Sequence, residues 1–115
     1  MTNEMSHAHP LEIGVDDLAG LVSSGVRLID VRQPDEYEDG HVPGAILVPL
    51  AEVPDRVAEF GSAGDVVYVV CKAGGRSARA CDFVRRSGVH AVNVAGGTDA
   101  WILSGRATVE GPLPS

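Results

Sequence analysis

The stretch that decides the fold runs from Val66 to Ser77 and reads Val-Val-Tyr-Val-Val-Cys-Lys-Ala-Gly-Gly-Arg-Ser. Its first five residues are apolar and mostly β-branched, which indicates a strand buried on both faces, as in a parallel sheet. The pattern over Ser77–Ser87 then has apolar residues at helical spacing. Cys71 therefore stands where a buried strand passes into a helix.

The loop that contains Cys71 suits a reactive sulfur anion. Gly74 and Gly75 allow the backbone to curl and to turn its N–H groups inward. The helix N-terminus adds positive potential, and so do the side chains of Lys72 and Arg76. Each contribution favours the thiolate, which is the nucleophilic form of cysteine. The plain alternative is a buried cysteine that only fills space at a strand end.

Composition and charge fit one soluble globular domain. The chain has 115 residues, of which 44% are hydrophobic and 22% charged. Its net charge of −7 argues against nucleic acid or an anionic membrane as the main partner. Residues 1–65 carry −10 and residues 66–115 carry +3, with Lys72, Arg76 and Arg79 gathered around the cysteine. We therefore expect a small anionic substrate to be drawn to this patch.

The two cysteines, Cys71 and Cys81, do not form a CxxC pair or a zinc-site pattern. A disulfide scaffold and a metal site are therefore not predicted. Residues 1–10 lack the basic start and apolar stretch of a signal peptide and are expected to form a mobile tail, in which His7 and His9 are too isolated to bind metal. No apolar run has membrane-spanning length. We expect a monomer in the cytoplasm, where thiols stay reduced.

The rest of the chain alternates between strand and helix patterns. Strands are predicted near Leu11 and over Arg27–Val31, Ala45–Val48, Asp65–Val70 and Ala91–Val94. Helices are predicted over Val15–Val22, Leu50–Phe60, Ser77–Ser87 and Thr98–Leu103, with one helical turn within Gln33–Gly40. We place Pro54 in the first turn of its helix and Thr98 at an N-cap, and we expect residues 106–115 to form a loose tail.

This alternation specifies a parallel sheet covered by helices on both faces. Ligands bind such sheets beyond the carboxyl ends of the strands. Asp30 and Arg32 lie at the end of one predicted strand, and Cys71 lies at the end of another. The topology therefore predicts that Arg32 lies near Cys71.

Four segments together resemble the rhodanese family: Ile29–Arg32, Glu36–Ala45, the cysteine loop and Val94–Trp101. The likeness covers about residues 11–105 in the family's order and spacing. It implies an α/β domain over these residues, a three-layer sandwich on a parallel sheet of about five strands. It also implies that sulfane sulfur is carried as a persulfide on Cys71, with no cofactor or metal.

The residues suit this chemistry independently. A persulfide on Cys71 has a negative outer sulfur, which inward N–H groups of the loop would stabilise. Thiosulfate is a small dianion that arginine and lysine can receive. The predicted substrate-binding residues are Lys72, Ala73, Gly74, Gly75, Arg76, Ser77 and Arg32, with Asp30 in support. Cyanide, a thiol or a protein would then accept the sulfur from Cys71.

Loop length separates sulfur chemistry from phosphate chemistry. Cysteine phosphatases and arsenate reductases, which have a related architecture, carry a similar loop with five residues between cysteine and arginine. Here four residues separate Cys71 from Arg76, which disfavours dephosphorylation. The competing function of another class is a persulfide-relay or regulatory module for one protein partner, with only incidental thiosulfate and cyanide activity.

Several roles remain open at this stage. Asp30 could orient Arg32 or the cysteine loop, or it could cap a turn. Arg32 could bind substrate or form a structural salt bridge. Lys72 could bind substrate or line the entrance, and Ser77 could donate to the persulfide or cap the helix.

Four other features have simpler interpretations. We expect His41 to make a structural hydrogen bond and Trp101 to pack in the core. Cys81 lies on the apolar stripe of its helix and is predicted to be a core residue, with a resolving thiol as the alternative. The acidic residues Asp35, Glu36, Glu38 and Asp39 are expected to form a solvated face, with a protein-docking surface as the minority view.

Overall fold

The structure is a computed structural model that describes residues 10–115. The expected tail of residues 1–10, including His7 and His9, lies outside the described residues except for Pro10. In chain order the elements are β1 (Glu12–Ile13), α1 (Val15–Ser23), β2 (Leu28–Asp30), α2 (Pro34–Asp39), β3 (Ile46–Leu47), two 3₁₀ helices (Leu50–Asp55 and Val57–Phe60), β4 (Val66–Val70), α3 (Gly75–Arg85), β5 (His90–Val94) and α4 (Gly97–Leu103).

The five strands form one parallel sheet in the order β1-β5-β4-β2-β3. The strand that precedes Cys71, β4, is therefore the central one. Asp30 at the end of β2 pairs with Val70 at the end of β4, so the chain segments that follow both strands emerge side by side. This arrangement confirms the predicted parallel sheet and brings the predicted functional residues to one edge of it.

The side chains of β4 alternate between two apolar layers. Val67 and Val69 pack on one face with α3 and the 3₁₀ helices. Tyr68 and Val70 pack on the other face with α1, α2 and α4. Because both faces are covered, the strand is apolar along its whole length, as the sequence predicted. Burial of each such valine contributes about 1.5–3 kcal/mol, so this strand anchors the loop that follows it.

The segment Leu50–Phe60 is not the single helix that was predicted. It forms two 3₁₀ helices, and Pro54 lies inside the first of them instead of in the first turn of an α-helix. Proline has no N–H group, and its ring collides with the carbonyl four residues earlier in an α-helix. The chain then breaks at Arg56, whose φ of −127° is not helical.

Two helix starts also differ from prediction. Helix α3 begins at Gly75, two residues before Ser77, because Gly74 turns the chain with a φ of 113°. Ser77 is therefore inside the helix, and its alternative role as a cap is wrong. Thr98 is likewise not an N-cap, because Gly96 occupies that position with a φ of 79°.

Residues 106–115 are not the loose tail that was expected. Val109 forms an antiparallel bridge with His41, and the Pro114 carbonyl accepts the Gly44 N–H at 2.8 Å. The Gly111 N–H also donates to the Glu38 carbonyl at 2.9 Å. Backbone hydrogen bonds of this kind are not readable from an aperiodic sequence, since any segment can supply them.

Candidate active site

The loop from Cys71 to Gly74 is held in place by the start of α4. The Thr98 N–H donates to the Cys71 carbonyl at 2.8 Å, and the Asp99 N–H donates to the Lys72 carbonyl at 3.0 Å. This close approach requires glycine at position 97. A Cβ there would lie 2.5 Å from the Lys72 carbonyl oxygen. The paired glycines 96 and 97 therefore let one helix end press directly against the cysteine loop.

The Cys71 thiol lies inside this loop and is 1% exposed. Its Sγ accepts the Gly74 N–H at 3.1 Å and lies 3.3 Å from the Ser77 hydroxyl oxygen. Burial by itself raises the pKa of Cys71. Hydrogen bonds from the Ser77 hydroxyl and from the N–H groups of Ser77, Gly74 and Ala73 outweigh burial, so the pKa is lowered below its ordinary value. The loop therefore favours the thiolate.

The loop cation Arg76 is already paired. Its guanidinium donates two hydrogen bonds to the Glu36 carboxylate, at 2.7 and 2.9 Å. The same carboxylate accepts the Gln33 N–H at 3.0 Å and so completes the cap of α2. The hydrogen bond with Arg76 is the main cause that lowers the pKa of Glu36 to about 2. Glu36 is thus part of the site, whereas its acidic segment was expected to form a solvated face, with a protein-docking surface as the minority view.

The other two predicted anion ligands are paired as well. Lys72 extends into solvent and bonds Asp99 at 2.8 Å. Arg32 is buried and donates through Nε and Nη2 to the Asp30 carboxylate, and through Nη2 to the Gly40 carbonyl at 2.9 Å. Asp30 therefore orients Arg32, and it also caps the turn, because its Oδ1 accepts the Arg32 backbone N–H at 3.0 Å. The geometry favours the structural alternative for Arg32.

Each of the three cations proposed to receive a sulfonate thus has a carboxylate partner. Arg76 still favours the thiolate as expected, because its charge and that of Cys71 attract each other, but the carboxylate partners of Arg76 and Lys72 offset part of the positive potential at the loop. Direct hydrogen bonds within the loop, and not free positive charge, make the largest favourable contributions to the lowered pKa of Cys71. By contrast, Arg79 is exposed on α3 and has no ion pair among the described residues.

Two clefts open beside the loop. One of about 500 Å³ lies between α3 and the first 3₁₀ helix and is lined mainly by apolar side chains together with Arg76 and Arg79. The other, of about 230 Å³, is lined by residues that include Arg32, Glu36, Lys72 and Asp99. Of these two clefts, the one of about 500 Å³ has the volume typical of a small-ligand pocket. Within residues 10–115 no three His, Cys, Asp or Glu side chains are grouped to hold a metal ion.

A buried polar residue behind the loop was missed from the sequence. Asn93 is 5% exposed, and its Oδ1 lies 2.5 Å from the Ser77 hydroxyl oxygen. Its Nδ2 donates to the Glu12 carboxylate at 3.0 Å and to the Gly74 carbonyl at 3.2 Å. The signal that could have found it is one polar residue between Val92 and Val94 in a strand otherwise buried on both faces, since such a residue needs partners.

The remaining candidates have structural roles. His41 Nδ1 lies 2.8 Å from the Tyr37 carbonyl oxygen, and the two rings stack at 3.7 Å. The Trp101 indole packs in the core and donates to the Ala107 carbonyl at 2.9 Å. Cys81 is fully buried, and burial raises its pKa to about 12. An unreactive core thiol at Cys81 agrees with its place on the apolar stripe.

Comparison with known proteins agrees with this geometry. Residues 15–104 match the Rhodanese family, described as the Rhodanese-like domain. The chain belongs to the rhodanese family. The resemblance read from the four segments is therefore confirmed.

Individual relatives of this rhodanese also indicate its family and its general function. Thiosulfate sulfurtransferase 16 of Arabidopsis thaliana is 32% identical over 111 residues, covering 86% of this chain and 92% of that protein. YrkF of Bacillus subtilis is 36% identical over 77 residues, which cover 66% of this chain but only 41% of that protein. A rhodanese-like domain protein from Staphylococcus aureus superposes with a TM-score of 0.73 at 34% identity, covering 80% of this chain and 91% of that one. Such relatives support sulfur transfer as the general function.

Among the helices of residues 10–115, none has the length and apolar composition that a membrane span requires.

Proposed function

We propose that this protein is a cofactor-independent sulfurtransferase that moves sulfane sulfur from a small anionic donor, such as thiosulfate, to cyanide or a thiol through a persulfide on Cys71. The observation that carries the proposal is the position of the Cys71 sulfur, which accepts the Gly74 N–H at 3.1 Å in a loop that lowers the pKa of the thiol. A free thiol at Cys71 also suits the cytoplasmic location that the sequence predicts, since thiols stay reduced there. The predicted monomer is part of the same proposal.

The reaction has two displacement steps. The Cys71 thiolate attacks the outer sulfur of thiosulfate and forms a new S–S bond, while the old S–S bond breaks and its electron pair leaves with sulfite. The charge of the persulfide lies on its outer sulfur, which the N–H groups of the loop can stabilise. The acceptor then attacks that outer sulfur and releases Cys71 as thiolate. No net proton transfer is required, so His41 has no role in these steps.

A thiosulfate ion must compete with protein carboxylates for the cations near Cys71. Because Arg76 is bound to Glu36 and Lys72 to Asp99, a sulfonate reaches either cation only by displacing or sharing a carboxylate. This pairing favours the second candidate function, in which Cys71 receives or delivers sulfur through a specific protein partner. A partner would position its own sulfur by surface contacts and would need no dianion site.

Mass spectrometry of the intact protein after exposure to thiosulfate tests the proposal. The expected result is a gain of one sulfur atom that is lost on treatment with cyanide. The gain should be absent in Cys71→Ser and retained in Cys81→Ser, which controls for the second thiol. A wild-type protein that gains no sulfur under these conditions would contradict the thiosulfate proposal.

Acceptor kinetics then separate the two functions. Persulfidated protein is mixed with cyanide, with a small thiol or with reduced thioredoxin, and the loss of the added sulfur is followed over time. Faster discharge to cyanide or the small thiol supports the enzyme. Discharge that is at least about a hundredfold faster to the protein thiol supports the relay function, because binding to a protein surface supplies that orientation.

A further inference from the structure

A chain of three polar side chains runs behind Cys71, across the sheet from β1 to α3. The Ser77 hydroxyl oxygen lies 3.3 Å from the Cys71 sulfur and 2.5 Å from Asn93 Oδ1. Asn93 Nδ2 lies 3.0 Å from a Glu12 carboxylate oxygen. Ser77 and Asn93 are both buried, so loss of one of these hydrogen bonds leaves a buried polar atom without its partner.

The direction of each hydrogen bond follows from the groups that face the Asn93 amide on the side away from Cys71. The Glu12 carboxylate and the Gly74 carbonyl, which both face the Asn93 amide, can only accept. The amide group facing them must therefore be the NH₂, and the oxygen Oδ1 must face Ser77. Since Oδ1 also only accepts, the hydroxyl hydrogen of Ser77 points to Asn93 in this contact.

Ser77 has only one hydroxyl hydrogen, so it cannot donate to Asn93 and to Cys71 together. While the hydrogen points to Asn93, a lone pair of Ser77 faces Cys71 and accepts the S–H of the neutral thiol. The thiolate has no hydrogen to offer. It needs the Ser77 hydroxyl to turn toward sulfur, which leaves Asn93 Oδ1 without its donor.

We propose that Asn93 is a positioning residue that holds the hydroxyl hydrogen of Ser77 away from Cys71 and releases it each time the Cys71 sulfur becomes a thiolate. Asn93 thus opposes ionisation of Cys71 through Ser77, while its second bond, to the Gly74 carbonyl, holds the loop and offers no hydrogen to the sulfur. The part of the proposal that concerns catalysis rests on the proposed sulfur transfer. The part that concerns ionisation does not.

In the sulfur-transfer cycle the hydroxyl would turn twice. The thiolate that attacks the donor accepts the Ser77 hydrogen. Once the persulfide forms, the Cys71 sulfur is bonded and uncharged, and the hydrogen returns to Asn93. Discharge to an acceptor regenerates the thiolate, and Ser77 turns again to stabilise the leaving sulfur. The hydrogen stays on Ser77 throughout, so these turns form or break no covalent bond.

Other ionisable groups surround the same loop and must be held constant in any test. They come from every element that packs near it, and include Glu12 on β1, Asp30 at the end of β2, Arg32 after it, Glu36 on α2, Lys72 in the loop, Arg76 and Cys81 on α3, and Asp99 on α4. A variant at Asn93 changes none of these charges. The effect of Asn93 can therefore be separated from theirs.

The test is a double-mutant cycle on the pH dependence of Cys71 alkylation by iodoacetamide. Asn93→Val introduces a β-branched residue, which suits a buried strand, and removes the acceptor. It should lower the labelling pKa of Cys71 by about one pH unit, the scale of one hydrogen bond to a thiolate. Ser77→Ala should raise it. In the Ser77→Ala background Asn93→Val should have no effect, because the hydroxyl through which it acts is gone.

Glu12→Gln is the control, since it removes the charge at the Glu12 end of the hydrogen-bonded series but keeps an acceptor for the Asn93 amide. We expect it to shift the labelling pKa by less than about 0.3 pH unit. An equal shift from Asn93→Val with and without Ser77, or a shift from Glu12→Gln as large as that from Asn93→Val, would overturn the proposal. Either result would show that Asn93 acts by charge or packing.

A second measurement uses the wild-type protein and keeps the proposal testable if Asn93→Val does not fold. At a pH below the pKa of Cys71, its S–H stretching band, assigned by its loss in Cys71→Ser, should lie at lower frequency than that of Cys81. Cys81 has no hydrogen-bond partner for its sulfur among the described residues. Equal band positions would overturn the proposal. Neither measurement depends on sulfur transfer. A protein that forms no persulfide would therefore contradict the proposed function but would not affect the proposed role of Asn93.

Discussion

Cys71 and Cys81 lie ten residues apart, are both buried and belong to the same apolar cluster, yet they have opposite acid–base properties. The pKa of Cys71 is lowered, whereas burial raises the pKa of Cys81 to about 12. Burial disfavours the thiolate at both positions. The difference therefore comes from what surrounds each sulfur, and not from how deeply it is placed.

The two surroundings differ in available donors. Cys81 lies in the middle of α3, where the helix already uses its own N–H groups. Cys71 lies before that helix, where N–H groups have no helical partner and the turn at Gly74 directs them to the sulfur. A helix start can thus supply what a helix interior cannot. The following predictions test this contrast in order of decreasing effect.

Exchange of each cysteine should give the largest contrast. Cys71→Ser keeps the shape of the side chain but replaces the thiolate with a hydroxyl that is not ionised at neutral pH. We expect sulfur transfer from thiosulfate to cyanide to fall by about a thousandfold or more, with folding retained. Cys81→Ser in the same assay should keep most of the activity. Comparable losses in both variants would remove the functional distinction between the two thiols.

The next largest effect concerns how α4 holds the loop. Gly97→Ala places a Cβ 2.5 Å from the Lys72 carbonyl oxygen, whereas a Cβ at Gly105, which also has positive φ, meets no atom within 4 Å. Gly105→Ala should cost about 1 kcal/mol of unfolding free energy from backbone strain alone. Gly97→Ala should cost at least about 3 kcal/mol and lower activity further, because the loop must move. Urea unfolding of both variants measures the difference, and equal costs would contradict direct contact.

Loss of the core thiol should have a smaller effect. Cys81→Ala removes one buried sulfur and leaves a small cavity, so we expect a loss of about 1–2 kcal/mol in unfolding free energy. The kcat/KM of sulfur transfer should stay within about twofold of wild type. Thermal or chemical denaturation checks the first value and steady-state kinetics the second. Unchanged stability with collapsed turnover would instead assign Cys81 the role of a resolving thiol.

The smallest effect concerns charge near Cys71. Glu36→Gln removes the carboxylate that occupies Arg76 but keeps the side chain that caps α2. The kcat/KM for thiosulfate should rise by up to about fivefold, since an ion pair that stays partly in contact with solvent is worth up to about 1 kcal/mol. Glu38→Gln changes the same net charge on the exposed side of the same helix and should have little effect. A fall in kcat/KM for Glu36→Gln would mean that Glu36 is needed to orient Arg76.

Much of the fold was predictable because its signals are local. Five apolar residues before Cys71 specify a central strand, and the glycines after it specify a turn. The prediction of a single helix over Leu50–Phe60 was wrong because Pro54 lies inside this segment, where it cannot supply an α-helical N–H, and its effect outweighs the apolar spacing. Thr98 failed as a cap because a glycine with positive φ before it had already started the helix.

The site was predictable at Cys71 and much less so around it. The loop cations were visible, but their partners were not, since Glu36 and Arg76 are forty residues apart and only the folded chain brings them together. A sequence count of charge therefore overstated the positive potential at the loop. Asn93, in contrast, could have been found from the sequence, because a polar residue inside a buried strand is a local signal that it has a hydrogen-bond partner.

The central claim is that donors around the sulfur, and not burial, make Cys71 the nucleophile. The most direct measurement is the pH dependence of iodoacetamide labelling at both cysteines in one folded sample, since tryptic cleavage after Arg76 and Arg79 separates the two. The labelling rate follows the thiolate fraction, which rises with pH through the pKa. Cys71 should reach half-maximal labelling below the ordinary thiol pKa, while Cys81 stays unlabelled until the pH nears 12 or the protein unfolds. A common pH dependence at both cysteines, or a higher midpoint for Cys71, would contradict the account.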